Sequence, residues 1–137
     1  MPQIVLATLI RAAPAVCFDG ARDAQLHMES ARQTGERIVA GRDSGLWELG
    51  DEITFEGVHL GVRQRFSARI VDFERPHFFR DEMTRGAFAS LSHTHIFQAL
   101  PDVATAGARR WENRALCLAM VSSRRTCADF CVSARGI

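Results

Sequence analysis

The sequence predicts an α+β domain: an antiparallel sheet of about seven strands with helices packed on one face. Three observations predict it. The chain opens on a β-rich segment that is followed by two short helical segments rather than by another strand. From Glu52 to Phe97 it reads as short extended runs separated by turn residues, the pattern of repeated hairpins. Its 137 residues, 47% of them apolar, suit one domain with its own core. A hairpin sheet of this extent must bury one face against another layer.

The elements follow in order. Ile4 to Ile10 is rich in Ile, Val, Leu and Thr and reads as the opening strand. Ala13-Pro14 ends it, and Pro14 suits the first turn of a helix, where its missing N–H costs nothing. Val16, Cys17, Leu26 and Met28 supply the inner side of two short helices, separated near Gly20, with Asp23 as a cap residue. Gln33 to Ala40 is extended, and Gly41 to Gly45 is a turn cluster. Glu52 to Gly57 alternates, with Ile53 and Phe55 on one face and Thr54 and Glu56 on the other. His59 to Ser67 and Ala68 to Phe73 read as the next strands. Arg75-Pro76 then punctuates, and His77 to Thr84 and Phe88 to Phe97 flank Arg85-Gly86. No repeat or linker interrupts this order.

Composition narrows the function classes. A net charge of +1 lacks the basic excess of a nucleic-acid binder. No apolar run approaches the roughly 20 residues that span a bilayer, so no integral membrane segment is expected. The apolar start lacks a basic leader and a cleavage site, so it reads as a strand and the expected location is cytoplasmic. Every cationic residue is arginine, and tyrosine is absent. The four cysteines, Cys17, Cys117, Cys127 and Cys131, do not form a disulfide scaffold pattern. Cys127 and Cys131 lack the second ligand pair of a zinc site.

The segment His27 to Phe97 carries a family resemblance. Its pieces are His27-Met28-Glu29-Ser30, Thr34-Gly35-Glu36, Gly41, Gly45 and Leu49-Gly50-Asp51-Glu52-Ile53-Thr54-Phe55. His59-Leu60-Gly61, Pro76-His77-Phe78-Phe79-Arg80-Asp81-Glu82, Gly86-Ala87-Phe88 and His93-Thr94-His95-Ile96-Phe97 follow. In this order and spacing they resemble the SRPBCC superfamily (START/Bet v 1-like, polyketide cyclase/dehydrase-like), over roughly the first hundred residues. The resemblance implies a helix-grip fold. In it a seven-stranded antiparallel sheet wraps a long C-terminal helix, two short helices lie between the first two strands, and a cavity lies between sheet and helix. It also implies apolar ligands such as lipids or polyketides, and enzymatic activity in some members.

The expected organisation is an SRPBCC-like domain over 1–112 and a divergent or frameshifted tail over 113–137 in place of the terminal helix. Trp111-Glu112 resembles the family's last strand, but from Asn113 onward the apolar residues keep neither helical nor strand spacing. Reading the third base of each codon with the first two of the next forces glycine across Met120-Val121 and leucine across Phe130-Cys131. From Arg125 to Arg135 it permits a basic amphipathic helix. The expectation is therefore a frame change near Arg114 to Leu116, with a divergent native tail as the alternative. Loss of that helix would open the cavity and favour a homo-oligomer or aggregation.

The candidate ligand-cavity residues are Glu36, Phe55, His59, Phe66, Phe79, Glu82, His93, His95 and Phe97. His93-Thr94-His95 places two imidazoles on one strand face. With His59 and Glu82 they make a conceivable metal set. The neighbourhood also resembles a cupin half-motif, but Ala99 and Leu100 stand where its glutamate belongs. No metal and no cofactor are expected, and the histidines read as a polar stripe on a cavity wall or facing solvent. Glu36, Glu82 and His59, if buried, are acid–base candidates; on solvent-facing positions they would pair with Arg37, Arg63 or Arg80 instead. The phenylalanines are core and cavity wall together. The expected function is non-catalytic binding of an apolar small molecule or lipid. The alternative is a cyclase- or dehydratase-type enzyme acting on a polyketide-like or aromatic substrate, and a third reading is an interaction module without a ligand. No catalytic residue is assigned.

Overall fold

The computed structural model describes residues 3–59, 61–100 and 115–123. Strands Gln3–Ile10 (β1), Arg37–Ala40 (β2), Glu52–His59 (β3), Val62–Glu74 (β4), Phe78–Arg85 (β5), Leu91–Ala99 (β6) and Ala115–Ser123 (β7) form one sheet. Its order is β1-β7-β6-β5-β4-β3-β2, antiparallel throughout. Helices Pro14–Ala21 (α1) and Ala24–Ser30 (α2) connect β1 to β2 through a 3₁₀ turn at Ala31–Thr34. This is the helix-grip α+β arrangement that the resemblance implies.

Local chemistry explains the helix boundaries. Pro14 opens α1, and the Ala13 carbonyl accepts from the Val16 and Cys17 amides at 3.0 and 3.1 Å. The Asp23 carboxylate accepts from the Leu26 amide at 2.9 Å and caps α2. Gly20 lies inside α1, so the break between the helices falls at Arg22-Asp23 rather than at the glycine. Only Arg37–Ala40 of the expected Gln33–Ala40 strand is extended, because Gly35 at φ +68° ends the 3₁₀ turn just before it. Gly41 follows β2 at φ +92°, where a Cβ would collide with the Glu52 carbonyl oxygen. Only glycine fits that close approach.

Seven strands form, though not from the residues expected. His59 ends β3, and the remainder of the expected His59–Ser67 strand, from Val62, merges with Ala68–Phe73 into β4, because Ser67-Ala68 pairs without a break against Thr54 and Ile53. The seventh strand, β7, lies inside the 113–137 segment. It is held on both sides, against β1 from Gln3 to Ile10 and against β6 from Leu91 to Ala99. Its run Ala-Leu-Cys-Leu-Ala-Met-Val is apolar on both faces. It therefore shows no polar–apolar alternation. Residues 113–114 and 124–137, the rest of that segment, lie outside the described residues.

The two helices cover one end of the inner sheet face. Phe18 and Cys17 from α1 pack on Phe79, Phe97 and Ala115. Ala24 from α2 and Trp47 pack on Ile53, Phe55 and Ile70. The rest of that face is less covered: Ile4 and Leu6, on the same side of β1 as core-packed Ile10, are 42% and 40% exposed.

The outer face carries charge. Glu56, central on β3, bonds Arg37 at 2.7 Å, Arg65 at 2.8 Å and Arg63 at 3.2 Å. Guanidinium groups rather than apolar packing shield it: it is 5% exposed, while the three arginines remain 64–67% exposed. Bonds from Arg37 and then Arg65 hold its carboxyl at about 2, below the ordinary 4.5. A depressed folded-state value stabilises the fold above the unfolded value and loses that contribution as pH falls through the folded one. The thermal midpoints of wild type and Glu56→Gln are therefore expected to differ most above about 4.5 and to converge by about 2. A gap that stayed constant over this range would rule out ionised Glu56 as its source.

Candidate functional site

Strand alternation sorts the candidate residues onto two faces. On β5, buried Phe79 fixes Phe79, Asp81 and Met83 as inward, and Arg80 and Glu82 as outward. On β6, Leu91, His93, His95 and Phe97 point inward, because Leu91 and Phe97 are buried. The β5–β6 register then sets Phe79 opposite His95 and Asp81 opposite His93. A carboxylate and two imidazoles thus meet on an otherwise apolar wall.

The geometry is close. The His93 and His95 rings lie 4.1 Å apart, and His93 Nδ1 lies 3.5 Å from Asp81 Oδ2. One potential ligand atom from each of Asp81, His93 and His95 falls within 4.8 Å of the others. His95 stacks on Phe79 at 4.5 Å. Burial, then the neighbouring His93 and His27, push its pKa well below the usual imidazole range, so the ring is neutral near neutral pH.

His27 of α2 stands over this group. Its ring packs on Phe55 at 5.0 Å and on Trp47 at 5.1 Å. Burial lowers its pKa, nearby Asp81 raises it in part, and His93 lowers it further. Trp47 is buried and donates from Nε1 to the Arg42 carbonyl at 2.9 Å.

The predicted site is thereby corrected. Phe79, His93, His95 and Phe97 come together, and Phe55 and Phe66 extend the same wall along β3 and β4. Glu82 does not join them: it is on the opposite face and pairs with Arg80 at 3.8 Å. Glu36 lies just before β2, the far edge strand, four strands from β6 or roughly 19 Å at the usual spacing. His59 ends β3, where its backbone pairs with Val62. Asp81 and His27, which are not among the predicted residues, stand beside the two histidines instead. Asp81 lies two residues from Phe79, but the adjacent Phe78 equally favours the face of Arg80 and Glu82, so sequence alone does not choose it. His27, on a different element, left no such signal.

No protein-family model and no curated protein matches the sequence. Solved structures do. Ara h 8.0201 superposes with a TM-score of 0.62 at 11% identity, over 91% of this chain and 78% of that one. Protein CV1439 from Chromobacterium violaceum gives 0.62 at 13% identity, over 90% and 81%. The major latex-like protein 151 of Panax ginseng gives 0.59 at 12%, over 89% and 78%. The chain shares the helix-grip α+β fold of these structures. At such low identity the likeness is one of fold alone. The Asp81–His93–His95 group sits on the inner face of the sheet, the side that bears α1 and α2. Among the described residues, no helix is long and apolar enough to cross a membrane.

Proposed function

We propose that the inner sheet face binds an apolar small molecule or lipid without catalysing a reaction. The observation that carries this is the unequal cover of that face. One end is sealed by Phe18, Ala24 and Trp47, while Ile4 and Leu6 stay open on the same side. An apolar wall interrupted by a few convergent polar groups is the ordinary make-up of a small-molecule site. The SRPBCC resemblance points to the same ligand class.

Native mass spectrometry of the untreated protein tests the reading. A folded species carrying a discrete organic mass is the expected result. Leu6→Arg places a charge on the open part of the wall and is expected to abolish that mass. The exposed position should hold the thermal midpoint within about 2 °C of wild type. Bare folded protein would overturn ligand binding. It would move weight to a protein-binding role, such as that of the structural neighbour described as an HSP90 activator from Plasmodium falciparum.

One observation favours a second reading, acid–base catalysis of the cyclase or dehydratase type. Asp81 and His93 place a carboxylate beside an imidazole, and close by stand His27 and His95, whose rings burial holds neutral and so able to accept a proton. Turnover of the molecule identified by mass, lost in His95→Gln while binding persists, separates the enzyme from the carrier.

A further inference from the structure

We propose that Asp81, His93 and His95 bind a divalent first-row transition metal of the zinc type on the inner face of the sheet. From sequence no metal was expected; the one candidate set joined the histidines to Glu82 and His59. The register replaces Glu82 by Asp81, directly opposite His93. The proposal does not depend on the ligand reading.

The donor set fits the ion. Two imidazole nitrogens and one carboxylate oxygen suit borderline metals such as zinc, and three protein ligands leave one position open. Bond lengths near 2.1 Å put neighbouring ligand atoms of a tetrahedral site about 3.4 Å apart. Asp81 Oδ2 and His93 Nδ1 already stand at 3.5 Å, and all three donors fall within 4.8 Å. Small side-chain rotations close the remainder. The donors are rigidly backed: both histidines lie on a strand paired along its length with β7, and His95 is stacked on buried Phe79. The three sit on adjacent strands, so no backbone rearrangement is needed to assemble them. A simple Asp81–His93 ion pair accounts for two of these groups, and stacking on Phe79 accounts for the burial of the His95 ring, but neither accounts for its ligand atom falling within 4.8 Å of the other two.

The test is zinc titration of the full chain, stripped with chelator and dialysed, in competition with a chromophoric chelator. Binding of one zinc per chain is expected, weakened at least about tenfold in Asp81→Asn and in His95→Gln. Cobalt substitution is expected to give visible d–d absorption without thiolate charge-transfer bands. If a variant fails to fold, a zinc-dependent rise in the thermal midpoint of the unmodified protein supports the site, and its absence counts against it. Absence of saturable binding, unchanged affinity in folded variants, or a thiolate signature pointing to the cysteines would each overturn the proposal.

Discussion

Phe18→Ala is expected to cost about 3–5 kcal/mol, the range for emptying a fully buried phenylalanine site. For a chain of this length that lowers the thermal midpoint by roughly 10–15 °C. Phe18 has no exposed surface and is the only contact through which α1 touches three sheet rings edge-on among the described residues: Phe73 at 5.9 Å, Phe79 at 5.7 Å and Phe97 at 5.7 Å. Edge-to-face contacts add to the area term, so Phe18→Leu, which keeps much of the volume, should fall between wild type and alanine. Removing the ring also undercuts the inner wall, since Phe79 carries the stacked His95. The ligand mass should therefore be lost along with stability. Urea unfolding measures the first effect. A loss below about 1 kcal/mol would mean that α1 does not seal the sheet as described.

The sequence made the fold legible where one physical rule dominated. Pro14 and Asp23 announced the helix starts through capping chemistry that is local to a few residues. Ile53 and Phe55 announced β3 because one face of that strand is buried and the other carries Thr54 and Glu56. Legibility failed where neighbours decide. The strand β7 hid because it carries apolar residues on both faces, which erases the alternation. The join at Ser67-Ala68 hid because only the unbroken cross-strand pairing with Thr54 and Ile53 shows that one strand runs through it. At the site, His93 and His95 were visible as an i, i+2 pair on one strand. Choosing between Asp81 and Glu82 required the inward direction of β5, which the adjacent Phe78 and Phe79 leave open in sequence and the burial of Phe79 settles in the structure. His27 could not be placed because its proximity to Asp81 depends on how α2 lies across the sheet, and no periodicity encodes that.

Arg22→Ala is expected to be the second large loss, about 2–4 kcal/mol, although it removes a charged residue. Arg22 is 3% exposed between α1 and α2. Its Nη1 donates to the Trp47 carbonyl and to Glu48 at 3.3 Å, and Nη2 donates to Asp19 at 3.2 Å. Its guanidinium lies over the rings of Phe18 at 4.7 Å and Phe73 at 4.9 Å. Alanine would strand a buried backbone acceptor, a cost of roughly 1–3 kcal/mol, and forfeit the cation–π contacts and the packing of the stem. The carboxylates contribute less to the loss, because Asp19 keeps a two-point pair with Arg75 at 2.6 and 3.0 Å and Glu48 is half open to water. Arg22→Lys preserves charge, yet a single ammonium cannot reach the carbonyl, two carboxylates and two ring faces together, so it should recover only part of the loss. Salt separates this site from the outer-face cluster. The exposed arginines around Glu56 are open to screening, whereas the Arg22 contacts are not. The Arg22→Ala deficit should therefore persist in denaturant titrations at high ionic strength, and a deficit that vanished with salt would show that the guanidinium acts only as a surface charge.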